Sequence, residues 1–250
     1  MPRPPLPLLI ECEWSGERIG VDSPIRTVRS LVQSGQIVVL KHALPTPEIG
    51  MLRQAVFEWG QSVPASTGSI RGNNDLHDHP HSWHGHLAWP VDRHPPLRLW
   101  HGYAFALQDH GVDAAITSQV GWLFHAMRDL HHRLTGMQTL GSGGTGDALR
   151  PQIMHYPSGG GARCWEQHRG NPAVISQVAA LSERGSDFHV GGTVFESAGH
   201  IVDTSDRHGI GDICLFRSDL WHAVTPVDPA DPLDLGSQRG RWTAVLPVVG

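Results

Sequence analysis

The sequence predicts a mainly β fold, α+β overall, with bracing helices gathered in its N-terminal half. Three observations carry that reading. From residue 150 onward, short β-rich runs alternate with Gly/Pro turns, at 151–156, 173–182, 191–196, 199–203, 211–217, 222–227 and 241–248, with no helical period between them. Before that, two stretches repeat apolar residues at three- and four-residue spacing. The length of 250 residues with 39% hydrophobic content suffices for one sizeable core. By pattern alone the second half is an antiparallel β sandwich or barrel. We read 1–250 as one domain: an arm over 1–35, a strand, helices and a lid loop over 36–140, and the β roll over 150–250.

Taken in order, residues 1–25 are proline-rich and aperiodic and read as an extended arm. Residues 36–44 form a β-branched run after Ser34-Gly35 and predict a strand. Pro45-Thr46-Pro47-Glu48 opens a helix that carries Ile49, Leu52, Ala55, Val56 and Trp59 on one face. Residues 60–100, with the run from His77 to His86, read as loop: a lid beside the site, a solvated histidine-biased loop or a second metal site. Val112 to Met137 predicts a second helix, with Ala115, Val120, Leu123, Phe124, Met127, Leu130 and Leu134 turned toward the sheet. The glycine-rich run at 141–146 lacks the Lys-Ser/Thr of a phosphate loop and reads as a linker.

Composition removes several function classes. A net charge of −5 with scattered Lys and Arg gives no basic face for a nucleic acid polymer. Cys12, Cys164 and Cys214 are odd in number and widely spaced, which excludes a disulfide framework or thiolate zinc site and suits a reducing cytoplasm. The apolar run near the N-terminus is too short for a signal peptide, and nothing later is long enough to span a membrane. A soluble, cytoplasmic protein with a small-molecule substrate is expected. Among 18 histidines most must be bystanders, so only context can select ligands.

Two segments supply that context: Trp165-Glu166-Gln167-His168-Arg169-Gly170-Asn171-Pro172, and Phe216 to Val224 with His222 inside it. Both read as strand ends beside turns. Pairing them across a barrel would hold two neutral imidazoles on rigid strands, with an edge left open for chemistry. Gly240-Arg241-Trp242-Thr243 adds a permanent cation on the last strand, where an anionic co-substrate is expected.

The order of these motifs resembles the iron(II)/2-oxoglutarate-dependent oxygenases. It runs from His155-Tyr156 with Gly159-Gly160-Gly161, through His168, Ser186-Asp187-Phe188, Gly191-Gly192-Thr193-Val194-Phe195 and Gly211 to Phe216, to His222 with Val224-Thr225-Pro226-Val227 and Arg241-x-Thr243. The resemblance covers roughly 150–250. It implies a double-stranded β-helix core, also called jelly-roll or cupin-like, and a site that uses Fe(II), 2-oxoglutarate and O2. His168 and His222 would ligate the metal, and Arg241 with Thr243 would hold the distal carboxylate of 2-oxoglutarate, with Arg239 the competing cation. Gln152, Tyr156, Trp165 and Arg169 are the candidate substrate and pocket residues, and Asp187 is a residue that orients a hairpin.

One departure carries the functional expectation. The family has His-x-Asp/Glu, and here the third position is Gly170, as in its halogenase subset, where chloride occupies the vacated iron position. The expected reaction is therefore chlorination of an unactivated aliphatic C–H bond of a free amino acid, nucleoside or nucleotide, by hydrogen abstraction and chlorine transfer. The alternative is a hydroxylase whose third ligand is Glu166 or another acid. Glu166 lies two residues before His168, on the same face of a strand. A different class, a non-catalytic cupin-like binder of a small ligand, would leave Arg241 without a task.

Overall fold

The computed structural model describes residues 8–14, 25–63, 81–87, 97–105, 114–136, 148–168 and 174–249. In chain order the elements are β1 (Leu9–Glu13), α1 (Ile25–Gln33), β2 (Ile37–Lys41), α2 (Thr46–Ser62), β3 (His81–Leu87), β4 (Leu97–Ala104), α3 (Ala114–Thr135), β5 (Ala148–Leu149), β6 (Gln152–Pro157), β7 (Gly161–Glu166), β8 (Ile175–Ala180), β9 (Thr193–Ser197), β10 (His200–Asp203), β11 (Ile213–Arg217), β12 (Trp221–Val227), β13 (Gly240–Val245) and β14 (Val248–Val249). Strands follow one another as β1-β2-β11-β8-β13-β6-β4-β7-β12-β9-β10, with β3 on β4 and a separate β14-β5 pair. All of these pairings are antiparallel except β1 on β2. The expected mainly β jelly-roll architecture is present, with helices supplied by the N-terminal half.

Strand alternation builds two layers. Along β2, Ile37 and Val39 meet Phe195 and Val202 of β9 and β10 together with Cys214 and Phe216 of β11, filling the space between the sheets. The intervening Val38 and Leu40 face the other way, into a larger cluster with Val28 and Val32 of α1, Ile49, Leu52 and Val56 of α2, and Val120, Leu123, Phe124 and Met127 of α3. The helices thus cover the outer face of the sheet that carries β8, β13 and β6, whose inner face is left for the site.

Three segments differ from expectation, the first being α1, which falls within the arm expected over 1–35. Leu9–Glu13, expected as part of an arm, is a strand held in parallel register by β2, an interaction outside the reach of local pattern. Of the expected loop over 60–100, residues 60–62 end α2, His77 to Pro80 lie outside the described residues, and β3 pairs with β4 from His81↔Tyr103 to Leu87↔Leu97. His81 and His101 belong to a buried polar chain. Tyr103 Oη donates to His101 Nδ1 at 3.0 Å, His101 Nε2 donates to His81 Nδ1 at 2.8 Å, and His81 Nε2 donates to Val63 O at 2.8 Å. Each nitrogen has a role that neutral rings satisfy. Among the described residues, no helix is long and apolar enough to cross a membrane.

Three histidines are buried and neutral. Burial first, then the neighbouring His81, His155 and His84, takes His101 down to about 2. Burial likewise takes His155, stacked on Trp242 at 4.1 Å, and His208 down to about 3. The unfolded chain takes up these protons near pH 6.5 while the folded chain refuses them, so the unfolded state binds more protons and stability is lost as pH falls below about 6.5. The loss approaches about 1.4 kcal/mol per pH unit per histidine until the folded value is reached. Thermal melting should therefore fall steeply between about pH 6 and 4.5. His155→Phe, which keeps the ring on Trp242, should make that fall shallower; equal slopes for the two proteins would refute the assignment.

Candidate functional site

The site lies between the layers, where β7 and β12 pair with His222 opposite Glu166. The register shifts between His222 and Val224, so that Val224 pairs with Arg163 three residues before Glu166. This irregularity sends both Arg163 and Glu166 into the cavity. His168 follows directly after β7, its backbone N–H donating to Ser218 O at 3.1 Å. Glu166, His168 and His222 each bring one ligand atom to within 4.8 Å of the others, and they are the metal-competent group found among the described residues.

The protonation states suit a cation. His222 Nδ1 lies 2.9 Å from Leu220 O, and a carbonyl only accepts, so the proton sits on Nδ1 and the Nε2 lone pair points into the site. That Nε2 is 3.4 Å from Glu166 Oε1. Burial lowers His168 from its ordinary value, outweighing Glu166, so the ring is neutral at pH 7. Burial disfavours the Glu166 carboxylate, but Arg163, His222 and His168 together outweigh it and hold it at about 2. Two imidazoles and one carboxylate form a donor set for a divalent transition metal.

Across the same cavity stands Arg241 on β13, opposite Tyr156 on β6. Gly240, at φ +136°, allows this close approach, since a Cβ there would lie 2.2 Å from Tyr156 O. Arg241 is 4% exposed. Its Nη2 donates to Thr193 Oγ1 at 2.7 Å, while its buried Nη1 has no hydrogen-bond partner among the described residues. An orphaned guanidinium nitrogen in a closed site calls for an anion. Thr243, Gln152 and Tyr156 line the same cavity. Arg239 lies at the surface, paired with Asp231 at 3.1 Å. Asp187 accepts from Glu183 N and pairs with Arg53, outside the cavity.

Trp165 is not among the cavity residues, since it precedes Glu166 on the strand and leaves from the opposite face. Arg169 and Gly170 lie outside the described residues. Sequence reasoning overlooked Thr193 and Arg163. Thr193 stood within the Gly191-Gly192-Thr193 motif, whereas nothing in the sequence marks Arg163.

No family model matches the sequence, and no curated protein matches it. Solved structures do match the fold. A prolyl hydroxylase from Trichoplax adhaerens, in complex with a hypoxia inducible factor oxygen degradation domain peptide fragment, is 16% identical with TM-score 0.58, covering 89% of this chain and 87% of its own. A prolyl-4-hydroxylase from Pseudomonas putida is 15% identical with TM-score 0.52, covering 88% and 96%. An oxidoreductase of the 2OG-Fe(II) oxygenase family from Burkholderia pseudomallei is 12% identical with TM-score 0.51, covering 94% and 93%. At these identities the likeness establishes a shared fold.

The three side chains could together hold a divalent metal ion. Glu166→Ala, His168→Ala and His222→Ala should each abolish stoichiometric Co(II) binding in titration calorimetry while the metal-free protein keeps its melting temperature. Retained binding in any one of them removes that residue from the ligand set.

Proposed function

We propose that this chain is an iron(II)/2-oxoglutarate-dependent oxygenase that hydroxylates an unactivated C–H bond of a small polar molecule. The observation that carries the reading is the convergence of Glu166, His168 and His222 in one cavity with the unpartnered nitrogen of Arg241. The shared fold supports it. With Fe(II), 2-oxoglutarate and O2 bound, such a site supplies an oxidant strong enough to remove hydrogen from carbon.

The chain's own residues do the rest. His222, with Nδ1 committed to Leu220 O, offers Nε2 to the metal; His168 offers a neutral ring and Glu166 a charged oxygen. Arg241 would receive the distal carboxylate of 2-oxoglutarate in a fork, with the Thr193 and Thr243 hydroxyls beside it. Phe216, Val178, Val224 and Val245 wall the cavity and keep water from the reacting carbon. A binder without turnover would need no such alliance of metal ligands and orphaned cation.

Chlorination requires a ligand position left vacant for halide. Glu166 occupies that place in our reading: the order Glu-x-His replaces His-x-Asp/Glu, and the missing side chain at Gly170 is made good two residues upstream of His168. We therefore assign oxygen transfer rather than chlorine transfer.

Anaerobic reconstitution with Fe(II) and 2-oxoglutarate tests this. A visible metal-to-ligand charge-transfer band should appear, remain the same when chloride replaces sulfate, and vanish in Glu166→Ala. Arg241→Met should weaken 2-oxoglutarate binding about 100-fold and leave metal binding unchanged. A chloride-dependent band that survives in Glu166→Ala would instead establish a halide site and a halogenase.

A further inference from the structure

The cavity contains a second arginine that the chemistry above does not use. Arg163 stands on β7, and its Nε lies 2.9 Å from Glu166 Oε1, a charge contact set off the N–H direction. Its guanidinium also hydrogen-bonds the Tyr156 side chain and lies over the Trp100 ring, 5.2 Å from the centroid. On its far side Trp100 stacks on His84 of β3 at 5.0 Å and 11°. The guanidinium is thus flanked by a carboxylate, a phenol and an indole face. A cation so committed is poorly placed to seize a substrate and well placed to hold its neighbour.

We propose that Arg163 is a positioning residue that fixes the orientation of Glu166 as a metal ligand, and that the β3–β4 hairpin buttresses it through Trp100. The proposal rests on Glu166 being the third ligand. The physical need is specific to this chain. Glutamate has several rotatable side-chain bonds, and a free one would sample orientations away from the imidazoles and lose that freedom when metal orders it. Arg163 removes those orientations before metal arrives. Partners that orient a ligand in this way commonly change metal affinity about 10- to 100-fold when removed.

Charge and orientation predict different results. Arg163 repels a dication, so if only its charge mattered, Arg163→Met would bind metal more tightly and Arg163→Lys would behave as wild type. If it positions Glu166, Arg163→Lys, which keeps the charge and loses the planar fork, should bind Co(II) about 10-fold more weakly and shift the Co(II) d–d spectrum toward that of a two-histidine site. Trp100→Leu, which keeps both charged groups and removes the buttress, should shift the spectrum in the same direction by less. Melting temperatures of the metal-free proteins serve as the folding control. Wild-type Co(II) affinity and spectrum in both Arg163→Lys and Trp100→Leu would overturn the proposal while leaving Glu166 as ligand. Wild-type Co(II) binding in Glu166→Ala would overturn the ligand assignment and this proposal together.

Discussion

The pairing of β7 with β12 is the constraint on which the site depends. Bringing two imidazoles and a carboxylate together needs side chains from two strands distant in the chain on one side of a sheet, held there before any ion arrives. The register that sets His222 against Glu166 does this with backbone hydrogen bonds. The shift in register beyond it turns Arg163 to the same side, so one irregularity in one ladder brings both Glu166 and Arg163 into the cavity. Phe216 and Phe195, with rings tilted against His222 at centroid distances of 5.0 and 6.2 Å, pack beside it.

Such a site is costly to keep. Arg241, Glu166 and Arg163 are charges taken from water, and one nitrogen of Arg241 is unpaired. The offset comes from the outer face of the sheet, where α1, α2 and α3 cover an apolar cluster running from Val28 to Leu246. One face stabilises the fold and the other carries the chemistry. Asp228 ties the rim together, accepting from the backbone N–H groups of His189 and Val190 and from Ser158 Oγ, each at 2.8 Å.

The many histidines divide along the same line. His81, His101 and His155 are neutral core groups satisfied by hydrogen bonds or stacking, whereas His168 and His222 face a carboxylate and a cavity. Imidazole serves both purposes because it is flat enough to stack and polar enough to ligate, so residue type alone could not separate them.

The sequence by itself determined the β roll, the two long helices, the pairing of His168 with His222, and the cation at Arg241. These are readings of period, turn residues and motif order, all local in the chain. Helix α1, strand β1 and the β3–β4 hairpin were not legible. Strand β1 exists only because β2 pairs with it, and polar histidines and tryptophans in the hairpin mimic loop composition until they are buried against one another. Tertiary structure alone brings Glu166, Arg163 and Thr193 into one cavity. Whether a carboxylate two residues before a histidine can join it depends on strand register and on what lies across the cavity, and both are set by residues far away in the chain.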